Sequence, residues 1–166
     1  SILMTIFIQA YKYAAEPFFF SYSKEKDAKQ TYADLMTYFV IATSAIFLVT
    51  TLFLDVALLM IGKDFREGKE IIPILLMANL FLGVFYNLSV WYKLTNKTRY
   101  GAYIAIVGAA ITLVLNIVLI PKIGYVGSAW ATFFCYGTMM IISFVSGHKY
   151  YPIPYNFKRL LLYPAL

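Results

Sequence analysis

Charged residues are scarce in this sequence. Asp, Glu, Lys and Arg make up only 13% of it, while 61% is hydrophobic. A soluble domain usually carries about 25% charged and about 45–50% apolar residues. With so few charges the chain cannot cover a water-facing surface, so its main solvent must be lipid. The net charge of +6 does not indicate a nucleic-acid partner, because the cations sit in short segments between apolar runs and form no continuous stripe.

Groups that carry catalysis or bind metals are equally rare. The chain has one cysteine, Cys135, and one histidine, His148. A single cysteine excludes an internal disulfide and a cysteine metal cluster. The sequence has no phosphate-binding glycine loop, no HExxH motif and no setting for a Ser or Cys nucleophile. We therefore predict that the chain is not an enzyme and that it needs neither a metal nor another cofactor.

Most of the sequence consists of long segments without charged residues. They cover residues 35–54, 71–92, 100–121 and 123–147, and a helix needs about 20 residues to cross the hydrocarbon core. Backbone in lipid must satisfy its own hydrogen bonds, and nothing alternates with the period of a barrel strand. We predict an all-α polytopic membrane protein, a transmembrane helix bundle forming a single domain over residues 1–166. Its expected spans are 1–22, 35–61, 71–93, 100–120 and 124–147, with another starting from 158. Both ends lie within apolar runs, so we expect a fragment of a longer protein.

The connecting loops predict an orientation. Three of them, 23–34, 93–99 and 148–159, share one side of the membrane and hold nine Lys and Arg residues. The opposite side holds four, at Lys63, Arg66, Lys69 and Lys122. Cytoplasmic loops carry the excess of Lys and Arg. We therefore expect the first group of loops to face the cytoplasm.

The first helix carries a polar face. Lys12 and Glu16 are four residues apart and share a side, which Gln9 and Tyr13 extend. Charge within a membrane is costly and usually faces a bundle interior or a water-filled cavity. These four residues are our candidates for a cavity lining. The alternative is that the pair lies near the interface, neutralises itself and extends to the headgroups.

Asp55 interrupts another apolar run. It is a candidate coupling carboxylate, because a protonatable group in a span can link transport to an ion gradient. The alternative is an interfacial residue that water reaches, or one that caps a broken helix.

Small residues recur at helical spacing in two consecutive spans. Such faces let helices approach closely, and a membrane amide usually hydrogen-bonds between helices. We predict helix packing for Gly101, Ala105, Gly108, Asn116, Gly127 and Ala131.

Three segments resemble a known superfamily. Residues 119–132, preceded by Asn116, read LIPKIGYVGSAWAT. This is similar to the helix, "IPxxGxxGxA" turn and helix of the multidrug/oligosaccharidyl-lipid/polysaccharide (MOP) exporters. Residues 86–101 and the Pro-Phe-Phe-Phe at 17–20 resemble the polysaccharide-biosynthesis, or Wzx-type, flippases of that superfamily. The likeness covers nearly the whole chain.

The resemblance implies part of the second lobe of a MOP-type, MATE-like transporter in the bacterial inner (cytoplasmic) membrane. Such proteins are thought to translocate undecaprenyl-diphosphate-linked oligosaccharide by alternating access for surface polysaccharide (lipopolysaccharide, O-antigen) biosynthesis. Lys12 would then contact phosphate or an acidic sugar. Expected partners are this substrate, membrane lipid and other polysaccharide-assembly proteins, with no nucleic acid.

Two other interpretations stay open. The first is another MOP transporter, either a drug/cation antiporter or a peptidoglycan-precursor flippase. An antiporter would need a protonatable or sodium-binding cluster, and Asp55 alone is a poor one. The second lies outside transport: a membrane-embedded glycosyl- or acyltransferase, or an assembly subunit. Short loops such as 93–99 leave little room for an active site.

Overall fold

A computed structural model describes residues 2–54 and 68–155. In these two ranges the chain forms helices and no strand, which confirms the all-α class predicted from the sequence. The helices are α1 (Ile2–Tyr22), α2 (Ala28–Leu52), α3 (Ile71–Leu88), the short α4 (Val90–Leu94), α5 (Arg99–Ile123) and α6 (Tyr125–Tyr150). Asp55 and the span expected from 158 lie outside the described residues.

Four helical segments are long and apolar enough to cross a membrane, which indicates a membrane protein. They are Ala28–Leu52, Gly68–Leu94, Arg99–Ile123 and Tyr125–Tyr150. Helix α1 is not among these four, although its 21 residues would span about 31 Å. Its polar residues lower its hydropathy, and they are the ones that the sequence marks as a candidate site.

Helix α2 begins earlier than the uncharged run suggested. It starts at Ala28, whereas the predicted span starts at 35, and it includes Lys29 and Asp34. Charge marks where a helix leaves the hydrocarbon and not where the helix ends, because a helix in water accepts charged residues: Lys is a good helix former, and Asp costs well under 1 kcal/mol. Within the apolar part, hydroxyls bond back to backbone carbonyls, as from Thr43 to Phe39 at 2.8 Å. Such bonds satisfy a polar side chain without a partner from another helix.

Helix α3 is the centre of the bundle, since α1, α2 and α6 all pack against it. Its Gly83 makes room for Phe39 of α2, because a Cβ at that glycine would lie 2.2 Å from the Phe39 ring. Phe39 is therefore buried beside Ile8 of α1 and Leu80 of α3. This cluster joins the first three helices.

Helix α5 lies at the edge and packs on α6. Only 11% of this span is buried. A single residue, Gly124, connects the two helices, with φ 62° and ψ −143°. Glycine populates such positive φ values without the penalty that a Cβ imposes. The connection therefore allows α6 to start directly where α5 stops.

Contacts bring the three cation-rich loops together at one end of the bundle, which we call the basic end. The Lys29 Nζ lies 4.7 Å from the ring centroid of Tyr151, and the Lys97 Nζ lies 3.8 Å from that of Tyr150. The start of α2 and the α4–α5 segment thus both contact the end of α6 and the residue after it, which agrees with the predicted placement of the three loops on one side.

Candidate functional site

Helix α1 faces α3 and α4 through a row of polar and aromatic side chains near the basic end. We call this row the polar seam; its members are Tyr11, Lys12 and Glu16 of α1, Tyr86 and Asn87 of α3, and Lys93 of α4.

A hydrogen bond between α1 and α3 forms the inner part of the seam. The Tyr11 hydroxyl donates to Asn87 Oδ1 at 2.7 Å. The Asn87 amide nitrogen in turn donates to the Gly83 carbonyl at 3.2 Å, which fixes its orientation. Asn87 is buried, so the interhelical bond satisfies an oxygen that water would not reach.

The charged residues of the seam do not pair in the way that their spacing suggested. Glu16 accepts from the Lys93 ammonium of α4, and both side chains are partly exposed. Lys12 lies over the ring of Tyr86, with its Nζ 4.7 Å from the centroid. Among the described residues, no carboxylate forms an ion pair with Lys12. The positive charge of Lys12 is therefore held by a cation–π contact, which leaves it able to meet an anion.

The other two predicted lining residues, Gln9 and Tyr13, are not members of the seam. Gln9 is partly exposed. Tyr13 is 73% exposed. Lys12 and Glu16 thus share a seam with α3 and α4, whereas Tyr13 faces outward. Asp55 lies outside the described residues.

An aromatic platform lies beside the seam at the basic end; it consists of Trp91, Tyr100 and Tyr150. The Trp91 indole N–H donates to the Ser143 carbonyl at 3.1 Å, and its ring stacks on Tyr150 with centroids 5.6 Å apart. Gly147 allows this position, because a Cβ there would lie 2.8 Å from the indole. The Tyr100 and Tyr150 hydroxyls share a hydrogen bond of 2.7 Å. Three helices, α4, α5 and α6, therefore fix one ring system.

The segment after α6 folds back across the same end. We call residues 151–155, Tyr-Pro-Ile-Pro-Tyr, the strap. Ile153 is buried among residues of α1, α2 and α4, and Tyr155 packs against the core. Burial raises the pKa of the Tyr155 phenol far above its ordinary value and also raises that of Tyr151. A small open cleft lies between the strap, Trp91 and His148.

The predicted packing residues lie mostly between α5 and α6. A Cβ at Gly108 would be 2.6 Å from the Met139 sulfur, and one at Gly127 would be 2.7 Å from the Leu119 carbonyl carbon. Ala131 is fully buried. Gly101 lies instead against Tyr92 of α4, and Ala105 is exposed. Asn116 Oδ1 is buried and has no hydrogen-bond partner among the described residues.

Sequence reasoning missed several members of the seam and of the platform. Tyr11, Tyr86 and Lys93 did not stand out, because aromatic residues and a lysine at a span end are usual at the interface. A usable signal did exist: Glu16 and Lys93 belong to spans whose predicted ends share one side. Lys93 could therefore have been predicted from the sequence as a partner for Glu16.

Within the part of the chain that the structure describes, no group of three or more His, Cys, Asp or Glu residues could hold a metal ion. No protein-family model, no curated protein and no solved structure matches this chain.

Proposed function

We propose that this chain is part of a flippase in the bacterial inner membrane that translocates undecaprenyl-diphosphate-linked oligosaccharide by alternating access. The observation that carries the proposal is Lys12, a cation in the middle of a 21-residue helix whose contact is an aromatic ring. The resemblance to the MOP exporters supports the same assignment. It also gives the class of substrate.

The physical problem of such transport is the head group. A sugar diphosphate loses its hydration in hydrocarbon, and an unpaired charge there costs many kcal/mol. A polar path with fixed cations replaces part of that hydration, and two lobes that rock around it open the path to each side in turn.

The charges of the polar seam suit an anionic head group. Glu16 is neutralised by Lys93, so the seam keeps the positive charge of Lys12. A lysine ammonium binds phosphate as a compact point charge. The Tyr86 ring limits the freedom of the side chain, which lowers the entropy that is lost when an anion binds. Lys12 is therefore the phosphate contact in this proposal.

Polysaccharide export in cells that carry the full-length protein tests this role. We expect Lys12→Ala to lower export at least tenfold, because it removes the phosphate contact, and Lys12→Arg to retain most of it. Lys24→Ala, which removes an exposed loop lysine, is the matched control and should export normally. Wild-type export by Lys12→Ala would contradict the proposed site.

Thiol labelling tests the path itself. In a Cys135→Ser background, Lys12→Cys should react with a water-soluble thiol reagent, and Asn96→Cys should react from the cytoplasmic side. Labelling of position 96 only from the periplasm would overturn the topology. Protection of position 12 from water would exclude a hydrated seam.

A further inference from the structure

The charges of the basic end differ between its two halves. In the α1–α2 half, Lys24, Lys26 and Lys29 alternate with Glu25, Asp27 and Asp34. After Glu70 the sequence has no Asp or Glu as far as Leu166. The α4–α6 half therefore carries positive charge that no carboxylate of its own segment can offset.

Three exposed cations concentrate this charge around the aromatic platform. They are Lys97, Arg99 and Lys149. The Lys97 Nζ is 3.8 Å from the centroid of the Tyr150 ring, and the Lys149 Nζ is 5.9 Å from the same point. The two ammonium groups are thus at most about 10 Å apart. The nearby Lys93 is already paired with Glu16.

The platform holds this arrangement in place before any ligand arrives. Tyr150 is stacked on Trp91 and hydrogen-bonded to Tyr100, and the Trp91 indole is bonded to the Ser143 carbonyl. A site that is already ordered loses less entropy on binding. The two tyrosine hydroxyls also provide polar groups beside the cations.

The position of the platform points to lipid as the source of the ligand. It lies where α5 begins, and α5 is the span with the smallest buried share. Aromatic residues and lysines at a span end lie at the level of the lipid headgroups, where basic clusters attract anionic lipids.

We propose that Lys97 and Lys149, with Arg99, bind the phosphate of an anionic phospholipid from the surrounding bilayer. The site is separate from the polar seam, and the proposal depends on the membrane-crossing helices and not on the transport activity. Each lysine should contribute about fivefold to affinity, or on the order of 25-fold together.

Native mass spectrometry of the full-length protein in neutral detergent tests the site. Phosphatidylglycerol and phosphatidylcholine are titrated in parallel, and bound lipid is counted. Wild type should retain phosphatidylglycerol at least tenfold better than phosphatidylcholine. Lys97→Ala/Lys149→Ala should lose this preference, and Lys97→Arg/Lys149→Arg should keep it.

The matched control is Lys24→Ala/Lys26→Ala, which removes the same charge from the half that carries carboxylates. It should bind phosphatidylglycerol within twofold of wild type. If the double alanine variant does not fold, Lys149→Ala alone takes its place, because Lys149 lies farther from the Tyr150 ring than Lys97 does and its loss disturbs the platform less. This single variant should weaken binding about fivefold. Equal binding of the two lipids by wild type, or equal losses in both double variants, would overturn the proposal.

Discussion

Two helix–helix contacts in this molecule use different kinds of residue. The α5–α6 contact relies on small residues, so that Gly127 brings α6 against the backbone at Leu119. The polar seam between α1 and α3–α4 relies on a hydrogen bond, an ion pair and a cation–π contact. Close backbone approach tolerates almost no change in shape, whereas polar side chains can exchange partners with water or a ligand. We therefore expect the α5–α6 contact to tolerate substitutions less well than the polar seam does.

The largest effect should come from adding a methyl group to the α5–α6 contact. In Gly127→Ala the new Cβ would lie within 3 Å of Leu119 backbone atoms, which cannot move as a flexible side chain could. We expect a loss of about 3 kcal/mol in the free energy of unfolding, measured by denaturation in detergent. Gly137→Ala is the control, because its Cβ would meet Phe81 at an ordinary 3.5 Å. Equal stability of the two variants would show that the contact is not tight.

A smaller effect should follow from breaking the interhelical hydrogen bond of the seam. Tyr11→Phe leaves Asn87 Oδ1 without its donor. Hydrogen bonds between membrane helices contribute about 0.6 kcal/mol on average and up to about 1.7 kcal/mol, so we expect a loss of about 1 kcal/mol by the same assay. Tyr13→Phe, at an exposed position of the same helix, should change nothing. If Tyr13→Phe destabilises as much as Tyr11→Phe, the bond does not hold the seam.

The ion pair of the seam should have the next smaller effect on stability. Glu16 and Lys93 are both partly exposed, so solvent screens their attraction, and such pairs contribute about 0.2–1 kcal/mol. We expect Glu16→Lys and Lys93→Glu each to destabilise the protein slightly, and the double exchange to restore the wild-type melting temperature. Additive losses in the double exchange would contradict a direct pair.

The contribution of the strap to stability should decrease at alkaline pH. Burial raises the pKa of Tyr155 above the ordinary value of 10.0, because the neutral phenol is favoured in the folded state. Its contribution to stability is therefore complete below about pH 10 and is lost as the pH rises towards the folded-state pKa. Tyr155→Phe should reduce this alkaline loss, as measured by melting curves from pH 9 to 12. An unchanged alkaline loss would show that Tyr155 is not the responsible group.

The all-α class could be predicted from the sequence because membrane-spanning helices follow from length and the absence of charge. The expected spans at 71–93 and 100–120 agree closely with Gly68–Leu94 and Arg99–Ile123. The start of α2 differed, since Lys29 and Asp34 are helical outside the apolar stretch. Composition cannot distinguish where a helix leaves the membrane from where it ends.

The candidate site was predictable only in part. Spacing placed Lys12 and Glu16 on one side of α1, because that relation is local. Spacing could not identify Lys93 as the partner of Glu16 or Tyr86 as the partner of Lys12, since those contacts depend on which side of α1 faces α3 and α4. The platform around Trp91 depends in the same way on Gly147, whose role is visible only when α4 and α6 are packed together.

The single-residue connection at Gly124 also bears on how the protein is made. Because only Gly124 separates α5 from α6, we expect the two helices to enter the bilayer together, as one helical hairpin. In the predicted orientation, the end of α5 that crosses the membrane carries Lys122, whose transfer is costly for a lone helix. Insertion as a pair lets the apolar surface of α6 contribute to that step.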